Sequence, residues 1–215
     1  IKGFKSLNNK KIFTGIKYLP IEPIITKSNK KKNKINILIL LSSFPKIQVL
    51  VKVMNIFKSL NLNNNFSFMI KCKKIKNLEN IFLKNYSKLN IKVFNQFISN
   101  KILFNWSDFV LFGSGMTKYE VMASKKPGIM IHTLKRHNDH LILNFIKKYF
   151  KIVNHNILSK KSARRIFEEC LNKKKQFNMI KKLKKIDFSK NMQNIYEIIQ
   201  SVNKSVTKNG IQRNT

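Results

Sequence analysis

The sequence contains few residues that interrupt or cross-link secondary structure. Its 215 residues include six glycines, four prolines and two cysteines, Cys72 and Cys170. No CxxC or His/Cys spacing of a metal site occurs, so we expect free thiols, as in a reducing cytoplasm, and no metal. No apolar run approaches the roughly 18 residues that a membrane span needs, and no signal-peptide order opens the chain. The sequence therefore predicts a cytoplasmic protein with an ordinary core.

Acidic residues are also scarce, and the basic residues are nearly all lysine. The 44 lysines and arginines face nine acids, which gives a formal net charge of +35, yet only four of the 44 are arginines. Nucleic-acid surfaces favour arginine for its bidentate fork, so this composition argues against a nucleic-acid partner. The charge would still attract anionic membranes, and peripheral association with the inner face of a membrane stays open.

A polyanion-binding function is a further hypothesis from the charge. It requires basic residues gathered on one face. The lysines are spread along the whole sequence, and lysine, isoleucine, asparagine and phenylalanine together make up more than half of it. This bias is typical of AT-rich coding sequence, and it argues that the charge reflects codon usage.

Short apolar runs alternate with helical patterns after residue 34. The runs are continuously apolar, which is typical of strands buried on both faces of a parallel sheet. We therefore predict an α/β fold with a doubly wound, mostly parallel, Rossmann-like sheet and C-terminal helices. The predicted strands are 35–41, 66–70, 91–94, 109–112, 129–131 and 152–153, and the predicted helices are 48–60, 78–86, 97–104, 118–124, 141–149, 163–171, 177–186 and 192–202.

Composition divides the chain into three parts. Residues 1–34 contain turn residues and a lysine-rich run, and we predict an interdomain segment and linker there. Residues 35–203 are predicted to form the α/β domain. Residues 204–215 are polar and are predicted to be a loose tail.

The strongest functional signal lies between Asp108 and Gly128. The apolar residues 109–112 precede a Gly-Ser-Gly turn and a predicted helix start. A strand, a small-residue turn and a helix start together favour an anion site, because amide N–H groups and the positive end of the helix dipole point at one place. Two glycines alone are also consistent with an ordinary strand-to-helix turn. The candidate contacts are Gly113, Ser114, Gly115, Met116 and Thr117.

Glu120 is the acid that this segment places in the first turn of the predicted helix. In one interpretation its carboxylate accepts both ribose hydroxyls of a nucleotide. In the other it only complements the helix dipole, with Thr117 as the N-cap of a Thr-x-x-Glu capping box. Local spacing alone leaves both interpretations open.

Two further strand ends carry polar side chains. Ligands bind at the carboxyl ends of strands in doubly wound sheets, and Ser42 and Ser43 follow the first predicted strand. A histidine cluster follows the fifth, where metal binding, hydrogen bonding to a ligand, or a solvated loop are all open. The spacing fits no metal-binding helix pair, so we predict no metal. The residues of this third group are His132, His137, Asp139, His140 and Asn144.

The block that runs from Asp108 to Pro127, with Gly-Ser-Gly-Met-Thr-x-x-Glu at its centre, resembles the nucleotide-binding half of GT-B sugar-nucleotide enzymes. It is similar above all to the UDP-sugar hydrolases of pseudaminic-acid biosynthesis and the related spore-coat polysaccharide proteins. It is also similar to the transferase that adds N-acetylglucosamine to the peptidoglycan lipid precursor. Residues 15–23 are similar to the interdomain segment of the hydrolases. Met116 and Glu22 depart from the Ser and Arg of that group, and residues 42–45 lack its glycines.

The resemblance implies a UDP-linked nucleotide-sugar as ligand and no cofactor. It implies hydrolysis of the sugar–diphosphate bond in surface-polysaccharide or nonulosonic-acid synthesis, with transfer to a lipid-linked acceptor or a non-catalytic binding module as alternatives. The catalytic residues would lie in an amino-terminal GT-B domain that a chain starting at Ile1 lacks, so this chain alone would bind without turnover. The implied contacts are 113–117 for the diphosphate, Glu120 for the ribose, Ile131 and His132 for the base, and Ser42, Ser43, His140 and Asn144 for other parts of the ligand.

Overall fold

The apolar runs of the sequence pair with one another as strands of a sheet. The structure, a computed structural model, describes residues 4–7, 10–13, 15–24, 34–41, 45–60, 66–72, 78–94, 98–133 and 140–211. The strands there are β1 Phe4–Leu7, β2 Lys10–Phe13, β3 Ile35–Leu40, β4 Phe66–Lys71, β5 Asn90–Phe94, β6 Phe109–Gly113, β7 Gly128–His132 and β8 Lys151–Asn154. The helices are α1 Ile47–Ser59, α2 Leu78–Asn85, α3 Asn100–Trp106, α4 Thr117–Ala123, α5 His140–Lys147, α6 Lys161–Leu171, α7 Lys173–Leu183 and α8 Asn191–Ile211.

The main sheet confirms the predicted doubly wound α/β fold. Among the described residues its six strands run in the order β5-β4-β3-β6-β7-β8, and every neighbouring pair is parallel. The chain moves outward from β3 to β5 and then returns to pair β6 with the other side of β3. The point where the strand order reverses, between β3 and β6, is therefore the topological switch point, and ligands bind beside its carboxyl end in folds of this kind.

One face of the sheet packs against α1, α2 and α6 around an aromatic cluster. The ring of Phe57 in α1 makes edge-on contacts with Phe66 and Phe68 of β4, at centroid distances of 5.4 and 4.9 Å. The ring of Phe167 in α6 lies 5.6 Å from the same Phe57 ring. Phe57 thus joins two helices and a strand in one apolar layer.

Helices α3 and α4 and the segment just after α5 pack on the opposite face of the sheet. Leu38 and Val110 alternate with the residues of the first face and are also fully buried. Phe112 of β6 packs edge-on against Phe150 after α5, with 4.9 Å between ring centroids. Burial on both faces explains why these strands are continuously apolar.

The chain divides into two compact units, Ile24–Lys185 with the sheet, and Ile1–Pro23 together with Ile186–Thr215. In the second unit β1 and β2 form an antiparallel hairpin. The side-chain amide of Asn191, at the start of α8, donates to the carbonyls of Ile16 (2.8 Å) and Leu19 (3.1 Å). Gly15 precedes this turn with a φ of 112°, which glycine adopts without strain.

Several helix boundaries differ from those predicted. Helix α3 begins at Asn100 because the Ser99 side chain caps it, and α7 begins at Lys173 because the Asn172 side chain accepts from two amides of its first turn. Helix α8 continues to Ile211, where the sequence predicts a tail after Lys204. The division at residues 34/35 and 203/204 stays a prediction.

Two expectations about composition also have structural counterparts. Cys72 and Cys170 are both buried free thiols. Burial raises the pKa of the Cys170 thiol to about 12. Within the described ranges, none of the helices has the length and apolar character needed to cross a bilayer.

Replacement of Phe57 tests the aromatic cluster. Phe57→Ala removes a ring that is 2% exposed and leaves a cavity between α1, β4 and α6. We expect a loss of about 3–5 kcal/mol in the free energy of unfolding, measured by urea denaturation. Phe177→Ala is the matched control, because that ring is 66% exposed, and it should change stability by less than about 0.5 kcal/mol. Equal effects of the two substitutions would contradict this packing.

Candidate functional site

The register of the sheet brings two separate predicted site segments together. All strands of the sheet are parallel, so their carboxyl ends lie along one edge. Gly113, the last residue of β6, pairs with Ile131 of β7. The residues from Gly113 to Glu120 therefore lie beside the Ile131–His132 end of β7, next to the switch point between β3 and β6.

Gly113 is required by the contact between strands. A Cβ atom at this position would overlap the carbonyl oxygen of Leu41 just after β3. Among the described glycines only Gly15 has a positive φ, so neither Gly113 nor Gly115 is needed for a left-handed conformation. A Cβ at Gly115 would meet no atom within 4 Å. The backbone of the turn is therefore open at Gly115 and tightly packed at Gly113.

The start of α4 excludes the predicted capping box. Met116 has a helical backbone, with φ −60° and ψ −27°, and stands at the N-cap with no side-chain capping bond. The carbonyls of Gly115 and Met116 already accept from the amides of Lys118 (3.3 Å) and Tyr119 (2.9 Å). Thr117 therefore lies inside the first turn, and the interpretation of Thr117 as N-cap is wrong. Glu120 is in that first turn, as predicted.

Lys118 lies against this turn, although nothing in the sequence distinguished it from the other lysines. It is only 8% exposed, and its ammonium donates to the carbonyls of Ser114 (3.0 Å) and Gly115 (3.1 Å). The Nζ atom also lies 4.4 Å from the centroid of the Tyr119 ring. Burial lowers the pKa of Lys118. This side chain braces the turn and places a cationic group against its carbonyls.

Glu120 forms a hydrogen-bonded triad with two other half-buried side chains, Lys71 and Asn100. The Nδ2 atom of Asn100 donates to Oε2 of Glu120 at 3.0 Å. The Nζ atom of Lys71 donates to Oδ1 of Asn100 and to the Ile98 carbonyl, both at 2.6 Å. Burial lowers the pKa of Lys71, and the Glu120 carboxylate opposes this shift. The triad joins the end of β4 to the starts of α3 and α4.

Sequence reasoning missed both partners of Glu120. Asn100 fell inside the predicted helix 97–104, although Ser99 is a preferred N-cap residue that marks the observed start of α3. Lys71 had no signal of its own among so many lysines. The one signal that could have indicated Lys71 was its position directly after a predicted buried strand, where ligands of such folds bind.

The two predicted base contacts, Ile131 and His132, lie at the end of β7 and differ in what they expose. The side chain of Ile131 is fully buried in the apolar core, so only its backbone lies along the sheet edge. His132 is 7% exposed, and its carbonyl oxygen lies 3.3 Å from Nδ1 of His155. At this end of the sheet a ligand could therefore meet the backbone of Ile131 and the nearly buried imidazole of His132.

The remaining predicted contacts are scattered or lie outside the described residues. Met116 is 52% exposed, and Asn144 is exposed on α5. His140 is the first residue of α5. In the part of the chain that the structure describes, no three His, Cys, Asp or Glu side chains group as metal ligands would. Ser42, Ser43, His137 and Asp139 lie outside the described residues.

A groove of about 490 Å³ in the sheet-containing unit gathers basic side chains that are far apart in sequence. It is lined by parts of α6 and α7 and by the segment that joins α5 to β8. Glu169 pairs there with Lys175 at 3.1 Å, and the pKa of Glu169 is lowered by that hydrogen bond and by the charge of Lys151. The lysines that line this basic groove are Lys147, Lys148, Lys151, Lys175, Lys181, Lys182 and Lys185.

Solved structures of glycosyltransferases are similar to this chain. MurG from Acinetobacter baumannii is similar with a TM-score of 0.66 at 14% identity, over 80% of this chain and 51% of MurG. The pneumococcal O-GlcNAc transferase GtfA, solved with UDP and GlcNAc, has a TM-score of 0.57 at 14% identity, over 85% of this chain and 38% of its own. For TarM the TM-score is 0.56 at 14% identity, over 84% and 37%.

These comparisons establish the fold. The chain has the Rossmann-like α/β fold of GT-B glycosyltransferases, and it spans about half the length of MurG. No protein-family model and no curated protein matches the sequence.

The two glycines of the turn provide a matched pair of substitutions. Gly113→Ala should lower the free energy of unfolding by about 1–3 kcal/mol, because the new methyl group overlaps a backbone oxygen that cannot rotate away. Gly115→Ala should change it by less than about 0.5 kcal/mol, because the space around it is empty. Urea denaturation of both variants measures the difference. Equal destabilisation would contradict the close approach of β3 and β6.

Proposed function

We propose that this chain is the nucleotide-sugar-binding half of a GT-B enzyme, with UDP as the nucleotide. The observation that carries the proposal is the position of Glu120. It lies half-buried in the first turn of α4, at the carboxyl edge beside the switch point, and its carboxylate is oriented by Asn100. Ligands of doubly wound folds bind at this edge. GtfA, which shares the fold, was solved with UDP.

The proposed ligand lies across the ends of β6 and β7. The turn that contains Gly115 faces the diphosphate, Glu120 accepts from the ribose hydroxyls, and the Ile131–His132 edge faces the base. The open space at Gly115 supports close approach of a phosphate to the backbone. Ser42, Ser43, His140 and Asn144 remain proposed contacts for other parts of the ligand.

The proposed chemistry is cleavage of the bond between the sugar and the diphosphate. Negative charge grows on the diphosphate as it leaves, and groups that stabilise this charge lower the barrier. The buried ammonium of Lys118 is bound to the carbonyls of the turn, and its positive charge would help to stabilise the negative charge on the diphosphate. Likeness to glycosyltransferases favours transfer to an acceptor over hydrolysis, and hydrolysis in pseudaminic-acid synthesis remains the alternative. A further alternative is a non-catalytic binding module.

The catalytic group is proposed to come from a second, amino-terminal GT-B domain. The chain spans about half the length of MurG, and the proposal assigns its residues to binding alone. In this proposal the chain alone binds a nucleotide-sugar without turnover.

The basic groove supports a second candidate function, binding to an anionic membrane surface. Seven lysines of the described residues, from the segments 147–151 and 175–185, line this groove and face a single acid, Glu169. Helix α7, which lines part of the groove, exposes Phe177 among further lysines. Lysine clusters with an exposed aromatic side chain are typical of surfaces that bind anionic lipid headgroups.

Removal of the Glu120 carboxylate tests the first proposal. We expect Glu120→Ala to weaken UDP binding by at least about tenfold in calorimetric titration, because a charge-assisted hydrogen bond to the ribose is lost. Glu168→Ala is the control, since that exposed acid only pairs with Arg164 on α6. ATP serves as the comparison nucleotide. Unchanged UDP affinity in a folded Glu120→Ala variant would refute the ribose assignment.

Charge reversal in the basic groove tests the second candidate. Lys181→Glu combined with Lys185→Glu should reduce binding to vesicles that contain anionic lipid, measured by sedimentation at two salt concentrations. Lys84→Glu combined with Lys88→Glu makes the same change of net charge at exposed positions outside the groove. Equal losses in both double variants would indicate general charge attraction, and preferential binding to RNA would exclude a membrane-specific role.

A further inference from the structure

The hydrogen bonds of the triad determine which way the Asn100 amide faces. A lysine ammonium only donates, and an ionised carboxylate only accepts. The oxygen of Asn100 therefore faces Lys71, at 2.6 Å, and its NH2 group faces Glu120, at 3.0 Å. The reversed amide would bring two donors together on one side and two acceptors on the other. Lys71 thus ensures that Asn100 presents a donor to Glu120.

Among the residues that the structure describes, Asn100 is the one hydrogen-bond donor that reaches the Glu120 carboxylate. Two carboxylate oxygens offer about four acceptor positions, and Asn100 occupies one of them at Oε2. A ribose presents two neighbouring hydroxyl donors, and a carboxylate can accept both. A 2′-deoxyribose presents only one of these donors. The strength of this contact therefore depends on how well the carboxylate is oriented before the sugar arrives.

We propose that Lys71 and Asn100 are positioning residues that hold the Glu120 carboxylate ready for a ribose diol and so make the site selective for ribonucleotides over 2′-deoxyribonucleotides. This inference rests on the proposed nucleotide-binding function of Glu120. A glutamate side chain on a helix otherwise samples several rotamers, and restricting them in advance lowers the entropic cost of binding.

Packing alone does not explain the triad. Lys71 is half-buried at the end of β4, and burial lowers its pKa, which shows that the charge is held at some cost in solvation. An apolar side chain would fill the same position without that cost. The Lys71 ammonium instead donates to Asn100 and to the Ile98 carbonyl, and both bonds orient the segment that carries Asn100.

The test compares the affinities of UDP and 2′-deoxy-UDP by calorimetry in two variants. Asn100→Asp keeps the size of the side chain and the acceptor that faces Lys71 but removes the NH2 donor. We expect the ratio of the two affinities to fall by about tenfold in Asn100→Asp, which corresponds to one charge-assisted hydrogen bond. Any general effect of the added charge acts on both ligands and cancels in the ratio. Lys71→Met should lower the ratio by a smaller factor, because the amide can then rotate.

Asn80→Asp is the matched control, because Asn80 is exposed on α2 and the substitution adds the same charge. It should keep the ratio of the original chain. If Asn100→Asp does not fold, Lys71→Met decides the result. A ratio that stays unchanged in the folded variants but is lost in Glu120→Ala overturns the inference and leaves the proposed function intact. Absence of saturable UDP binding to the unaltered chain overturns both.

Discussion

The close approach of β3 and β6 is the constraint on which the arrangement of the site depends. The strand order reverses here, with β4 and β5 beyond β3 and with β7 and β8 beyond β6. A side chain at residue 113 would overlap the Leu41 carbonyl oxygen, so this approach requires glycine. The contact determines where α4 begins and therefore where Glu120 lies. The triad then connects α4 to β4, on the far side of β3.

The central strands β3, β6 and β7 were predictable because each is buried on both faces. The runs 35–41 and 109–112 became Ile35–Leu40 and Phe109–Gly113, a difference of one residue each. Parallel pairing also followed from continuous apolarity. The starts of α3 and α7 were less predictable, because their caps are Ser99 and Asn172 and the chain contains 28 asparagines. In such a composition a capping residue does not stand out from its surroundings.

The candidate site was predictable only as far as its signals are local. Glu120 could be placed because strand, turn and helix start occur within a dozen residues. The predicted capping box was wrong because the backbone at Met116 is already helical. That conformation follows from the turn after β6, and Thr-x-x-Glu spacing carries no information about it. Asn100 lies 20 positions from Glu120, and Lys71 lies 29 positions from Asn100. Contacts of this range depend on strand order, which periodicity does not contain.

The hydrogen bonds of Asn191 have a consequence for the order in which the protein is assembled during translation. Asn191 donates to the carbonyl of Ile16, which lies 175 positions earlier. The early segment therefore stays without this partner while the ribosome makes the whole sheet-containing unit. Domains generally fold as units during synthesis, amino-terminal parts first. In this chain the sheet of residues 24–185 is able to form before the unit that contains the earliest residues is complete.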